Sequence, residues 1–308
     1  MPLRPLRLGD LFDGAFRIIR RNAGATVGAA VLVASLAMLL PLVVAAVGTF
    51  GGWGLTDAVL EDGVTDDELG SFGAVFGTLL LGTALQGVGL VLVGGMTAQV
   101  TAAAVAGRRM TLAQAWAATR GRRWRLLGLT ATIGLLVALP VAAYAGPLLG
   151  LVLLDVGWLW PLAWGVLGFG ALVVALCWLW IRLAYFSMPS LMLEVPRVFG
   201  AIGRGRRLTR GAFWRIFGIA LLTNLAALVG SQIVSTPISV LAELVPLVTG
   251  PDYAMLTLVM GQAAGSIVAA AFATPFLSVV AALQYVDQRI RTEAYDVVLM
   301  EQAGLIEP

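Results

Sequence analysis

Six stretches of this chain run for more than 20 residues without a charged side chain, and few environments accept such segments. An α-helix rises about 1.5 Å per residue, so roughly 20 apolar residues cross a hydrocarbon core about 30 Å thick. The stretches run approximately from Ala23 to Thr49, Phe72 to Ala106, Leu126 to Leu154, Val156 to Ile181, Ile216 to Ala242 and Tyr253 to Val286. Each is therefore read as a membrane-spanning helix. The third and fourth are divided only around Asp155 and Gly157, which predicts a tight turn. The second is longer than a crossing needs, so it must tilt, kink or project. The first is too long for a signal-peptide core of roughly 7 to 15 residues, and Met1 onward is read as the mature chain. Charged residues make up 12% of the 308 positions and hydrophobic ones 59%, against about a quarter charged in a soluble domain. A soluble enzyme and a disordered tail are both excluded.

The charges orient the spans. With residues 1–22 inside, all 20 basic residues, every one an Arg, fall in the same four segments as eight of the acidic residues. The three opposite loops hold Asp57, Glu61, Asp62, Asp66, Asp67, Glu68, Asp155, Glu243 and Asp252, and no Arg. Such segregation follows the positive-inside rule, and an odd number of spans would destroy it. The expectation is one membrane domain over residues 1–308 in a bacterial plasma membrane, with both termini cytoplasmic and a tail over 287–308. The bacterial source is inferred from the absence of Lys, read as the mark of a GC-rich genome.

Three copies of one unit are visible. Trp124 to Leu129 reads WRLLGL and Trp214 to Ile219 reads WRIFGI, with a fainter Arg21-Asn22-Ala23-Gly24 before the first span. From Leu8, residues Leu11, Phe12, Ala15, Phe16 and Ile19 form a helical stripe, and Asp13 and Arg17 are spaced for an ion pair. Thr111 and Gln114 predict a capping box for a second cytoplasmic helix carrying Trp116, and a third covers Val198 to Phe213. The fold class expected is all-α and polytopic: six transmembrane helices as three parallel-repeat hairpins, each preceded by a cytoplasmic interfacial amphipathic helix. Independent selection of Trp-Arg pairs as interfacial anchors is the alternative.

Residues 180–217, WIRLAYFSMPSLMLEVPRVFGAIGRGRRLTRGAFWRIF, resemble the middle of bacterial membrane proteins known as the membrane domain of glycerophosphoryl diester phosphodiesterase. The segments Arg4 to Gly14 and Tyr285 to Glu293 are similar to that family's ends. The resemblance implies a six-helix membrane module without a catalytic signature. In that family the phosphodiesterase is a separate TIM-barrel domain using His and a carboxylate-bound metal. This chain has no His and no room for a barrel, so the enzymatic part of the name is not carried over.

Two sets of candidate residues remain. Arg17, Arg20 and Arg21, Arg120, Arg122, Arg123 and Arg125, and Arg204, Arg206, Arg207 and Arg210 form basic clusters suited to anionic headgroups or a partner protein. Their other reading is topology alone. Asn224, Ser231, Gln232, Ser235, Ser239 and Glu243 fall within about a 120° arc of the fifth span, and Gln262, Ser266 and Gln284 lie at compatible spacing on the sixth. This stripe lines either a substrate path or a hydrogen-bonded helix contact. Glycine pairs such as Gly24/Gly28, Gly73/Gly77, Gly146/Gly150 and Gly261/Gly265 are as frequent as chance provides and identify no interface.

No cofactor, metal or nucleic-acid partner is expected. The lone Cys177 lies in an apolar run, the acidic loop lacks Ca²⁺-loop spacing, and no nucleophilic, zinc or Walker motif is present. Function is read as non-enzymatic: a scaffold or lipid-associated accessory factor. The alternative is a transport subunit, such as an ABC-type permease that needs a separate ATPase subunit.

Overall fold

The structure is a computed structural model that describes residues 7–51, 66–154, 156–195, 197–249 and 253–293. Among these, every regular element is helical. The opening residues through 6, the acidic loop at 57–65, Asp155, Asp252 and the tail 294–308 lie outside the described residues. In chain order the helices are α1 (Leu8–Arg21), α2 (Ala23–Phe50), α3 (Asp66–Val105), α4 (Leu112–Ala118), α5 (Arg123–Leu153), α6 (Leu159–Leu179), α7 (Ser187–Leu193), α8 (Val198–Leu208), α9 (Phe213–Thr249) and α10 (Ala254–Glu293). Six are long and apolar enough to cross a membrane: α2, α3, α5, α6 with its continuation to Leu193, α9 and α10. Inside hydrocarbon a helix satisfies its own peptide groups, and the many apolar side chains left exposed on these helices suit a lipid surround. On α6 even Leu167 and Val174 face outward.

Three helices run beyond the uncharged stretches of the sequence. Helix α3 begins at Asp66, α9 runs on to Thr249, and α10 continues past Val286 through Glu293. Helix α5 ends at Leu153 and α6 begins at Leu159, so the break falls where the sequence predicts it, with Gly157 at φ +83°. Only a residue without Cβ enters that left-handed conformation cheaply.

The chain divides into two compact units. The first gathers Thr119–Leu221 with the chain's two ends, through Leu11 and from Ala281; the second gathers Phe12–Ala118 and Leu222–Val280. In the second, α2 packs along α3. Close approach is set by glycine: a Cβ on Gly82 would sit 2.7 Å from Pro41 Cγ, and one on Gly89 would overlap the Val33 side chain. The same unit brings α9 and α10 together where Gly230 faces Phe272, Gly261 faces Ala242 and Gly265 faces Ser239. Gly261 and Gly265 thus lie at a helix contact that their frequency alone does not reveal, whereas Gly24, Gly73, Gly77, Gly146 and Gly150 have open space beside them. Ring contacts of Phe12 and Phe16 with Phe276, at 5.4 and 5.3 Å, hold the part of α1 from Phe12 onward in this unit.

In the first unit α5 pairs with α6, joined where the Trp164 indole donates to Tyr144 O at 3.0 Å and the Tyr144 hydroxyl donates to Gly165 O at 3.2 Å. Its core gathers Ile181, Phe186, Leu208, Ile216, Ala220 and Tyr285.

Gly89→Leu forces a side chain into the Val33 methyls and is expected to lower stability by about 1–3 kcal/mol. Gly134→Ala, placed in open space, is expected to leave stability unchanged or raise it. Thermal unfolding of both variants in detergent checks the pair.

Candidate functional site: a carboxylate hub beside exposed arginines

The site in the first unit begins with a local departure from α-geometry. At Trp180–Ala184 the helix widens into a single π-turn, closed by Tyr185 N donating to Trp180 O at 2.8 Å. Such turns carry one extra residue and rotate the helix beyond them. The Tyr185 hydroxyl donates to Gln284 Oε1 at 2.8 Å. The Arg182 guanidinium lies 5.9 Å from the Trp178 ring centre. The short α7 comes next, and its last carbonyls, Leu191 O and Met192 O, accept from Arg122 at the start of α5.

Glu194, one residue beyond α7, is the hub. One oxygen accepts from Arg204 Nε at 3.0 Å. The other accepts from Arg289 Nε at 2.9 Å and from the Tyr285 hydroxyl at 2.7 Å. Glu293 closes the ring, taking Arg204 at 2.6 Å and Arg289 at 3.2 Å. Helix α8 reaches this position because Gly205 lies flat on Phe186–Ser187, whose backbone a Cβ would meet at 3.4 Å. Partial burial works against the charge on Arg204, but the hydrogen bond to Glu293 and the carboxylates of Glu194 and Glu293 outweigh it and push its pKa above the ordinary arginine value. A second pairing stands next to this ring: Asp287, fully buried, accepts from Arg215 at 2.8 Å and from Arg291 at 2.9 Å.

These contacts sort the arginine clusters. Arg204 is committed to the hub and Arg122 to the end of α7, so neither is displayed for a headgroup. Arg123 Nε donates to Thr119 Oγ1 at 3.1 Å. Arg206, Arg207 and Arg210 are exposed, as are Arg17, Arg20, Arg21, Arg120 and Arg125; among the described residues none of these eight guanidinium groups has a partner. Asp13 and Arg17, spaced for a pair, both point outward and do not join. The two Trp-Arg copies also differ in use. Arg125 is exposed, whereas Arg215 holds Asp287. Their tryptophans share a setting: Trp124 is 85% exposed and Trp214 79%.

The polar stripe of α9 splits. Ser231 and Ser235 are buried and Ser239 partly so, on the side where α10 presents Gly265, while Gln232, Glu243 and Gln262 are exposed. The serines bond locally: Ser231 donates to Ala227 O at 2.7 Å, and Ser239 to Ser235 O at 3.4 Å. Ser235 donates to Gln232 Oε1 at 3.4 Å, and Ser266 to Ala263 O at 2.9 Å. Asn224 is half-buried, and Gln284 is engaged by the Tyr185 hydroxyl. The capping box forms as the spacing predicts: Thr111 N donates to Gln114 Oε1 at 2.9 Å and Gln114 N to Thr111 Oγ1 at 3.3 Å.

No pattern in the sequence announces the hub. Glu194 and Tyr285 are 91 positions apart, and an isolated Glu between two helices gives no periodic signal. Glu194→Ala leaves the Tyr285 hydroxyl without its acceptor and leaves Arg204 and Arg289 to Glu293 alone. The expected loss is about 2 kcal/mol, below the roughly 3–5 of a fully buried pair, because the Glu194 side chain is 20% exposed. A double-mutant cycle of Glu194→Ala with Arg289→Ala, read by thermal unfolding, is expected to give a coupling of about 0.5–3 kcal/mol.

Comparison of the chain with protein-family models, with curated proteins and with solved structures returns no match.

Proposed function

We propose that this chain is a non-enzymatic multipass protein of a bacterial plasma membrane, with both termini cytoplasmic, serving as a scaffold or lipid-associated accessory factor. Its exposed arginines engage anionic headgroups or an acidic partner protein. The observation that carries the reading is the trio Arg206, Arg207 and Arg210, exposed and without partners among the described residues, on and just after a helix whose neighbour Arg204 is pinned to Glu194 and Glu293. A fixed helix offering unspent guanidinium groups suits phosphate, which Arg binds in a bidentate fork.

Aromatic residues support an interfacial position. Phe199 and Trp214 are each 79% exposed and lie close in sequence to the trio, and tryptophan favours the headgroup level. Helix α8 buries Ala201, Gly205 and Leu208 while exposing Arg206 and Arg207; α1 buries Leu11, Ala15 and Ile18 while exposing Arg17, Arg20 and Arg21. In this reading α1, α4 and α8 are the interfacial helices of three parallel repeats, and the arginine side faces the cytoplasm under the positive-inside rule. The resemblance to the phosphodiesterase membrane domain fits a membrane module of this kind. The transport alternative leans on the α9 stripe, whose serine hydroxyls bond within their own helix.

A cationic surface near an anionic leaflet contributes about 1 kcal/mol per charge. Wild type is therefore expected to unfold at a higher temperature in phosphatidylglycerol-containing bicelles than in phosphatidylcholine alone. Arg206→Glu/Arg207→Glu/Arg210→Glu is expected to lose most of that increment while keeping its stability in phosphatidylcholine. An unchanged increment overturns the lipid reading.

A further inference from the structure

The second unit holds an apolar groove of about 390 Å³ between α2, α3 and α4. Leu32 and Val33 of α2 form one wall, Val93 and Met96 of α3 the other, and Leu112 and Trp116 of α4 close one end. The surface that its lining residues turn toward it is apolar. That is many times the roughly 10–15 Å³ that one water needs. Water would find no partner there, so the occupant is hydrocarbon.

The groove exists because of two local devices. Gly89 brings α3 against Val33 without a side chain of its own. The chain then leaves α3 through Gly107, at φ +78°, and the capping box starts α4 so that Leu112, Ala113 and Trp116 turn toward the groove.

Three arginines lie close in the chain to the α4 end of the groove. Asn22, buried between α1 and α2, accepts from Met110 N at 3.2 Å through Oδ1 and donates to Ile18 O at 3.0 Å through Nδ2. That single amide ties the end of α1 to the α3–α4 link. Arg21 precedes Asn22 and Arg108 and Arg109 precede Met110, so three exposed guanidinium groups are carried by backbone that Asn22 holds together. Among the described residues none of the three has a partner. An apolar groove whose α4 wall follows such a cluster by a few residues is complementary to an amphiphile with a negative head and a long alkyl tail.

We propose that this groove binds one anionic glycerophospholipid of the surrounding bilayer, with an acyl chain between α2 and α3 beneath Trp116 and the phosphate at Arg21, Arg108 and Arg109. The inference deepens the proposed function, on which it rests, by naming a defined lipid site on residues separate from α8.

Native mass spectrometry of the full chain tests it, after reconstitution in equimolar phosphatidylglycerol and phosphatidylcholine and transfer to detergent. Wild type is expected to retain one phosphatidylglycerol per chain. Ala113→Trp, which fills the mouth, is expected to reduce that adduct at least tenfold, as is Trp116→Ala, which removes the lip; helicity by circular dichroism establishes that each variant is folded. Leu36→Trp, on the outward side of α2, is expected to change nothing. Arg21→Gln/Arg108→Gln/Arg109→Gln is expected to keep a lipid but bind both headgroups equally.

Wild type without an adduct, or with phosphatidylcholine retained equally, overturns the proposal, as does loss of the adduct in the Leu36 variant. The α8 triple reversal separates the two readings. If it alone removes the adduct, the lipid sits at α8, and the groove proposal fails while the broader reading stands. If it leaves both the adduct and the phosphatidylglycerol-dependent stability intact, the broader reading fails and the groove stands.

Discussion

A peptide group without a hydrogen-bond partner in hydrocarbon costs several kcal/mol, and an unpaired charge costs more. The rest of this structure depends on that constraint. Apolar stretches have no choice but helix, and charged side chains are confined to helix ends, where they meet water, headgroups or each other. Glu194 meets this constraint at close range. Its carboxylate stands just past a membrane-length apolar segment, and two guanidinium groups and a phenol satisfy its oxygens.

That arrangement divides the arginines into two kinds. Arg204, Arg215, Arg289 and Arg291 hold elements of the first unit together by pairing with Glu194, Glu293 and Asp287. Among the described residues, Arg206, Arg207 and Arg210 pair with no carboxylate. A positively charged segment at a membrane surface sets topology whichever kind its members belong to, since the positive-inside rule counts charges and not contacts. The two kinds differ in what they leave available, and only an arginine with unspent donors can recognise phosphate.

Much of the architecture is legible in the sequence because its signals are local or periodic. The six long helices come from uncharged length. The Thr111–Gln114 box comes from a three-residue spacing, and the turn at Gly157 from one small residue between two apolar runs. The features that escape such reading are pairwise and distant. Arg204 reads as one more member of a basic run, and nothing near it announces Glu293, 89 positions on. Gly82 and Gly89 are seven apart, outside the four-residue spacing by which close-packed helices are usually sought, yet they set the α2–α3 contact. The α9 stripe is a true arc of the sequence, but an arc of about 120° is wider than the seam α10 covers. Ser231 and Ser235 therefore face inward while Gln232 is left outside.

The π-turn at Trp180–Ala184 gives the chain one place where length and direction are the same thing. Removing a residue from a loop shortens a tether. Winding these same residues as ordinary α-helix would turn everything downstream by about 100°, one residue's worth, sweeping Tyr185 away from Gln284 and Glu194 away from its three donors. The extra residue taken up within these five thus sets which face the downstream helix presents. A substitution that lets this turn relax to α-geometry changes a face and not a length, and unseats the hub without touching it.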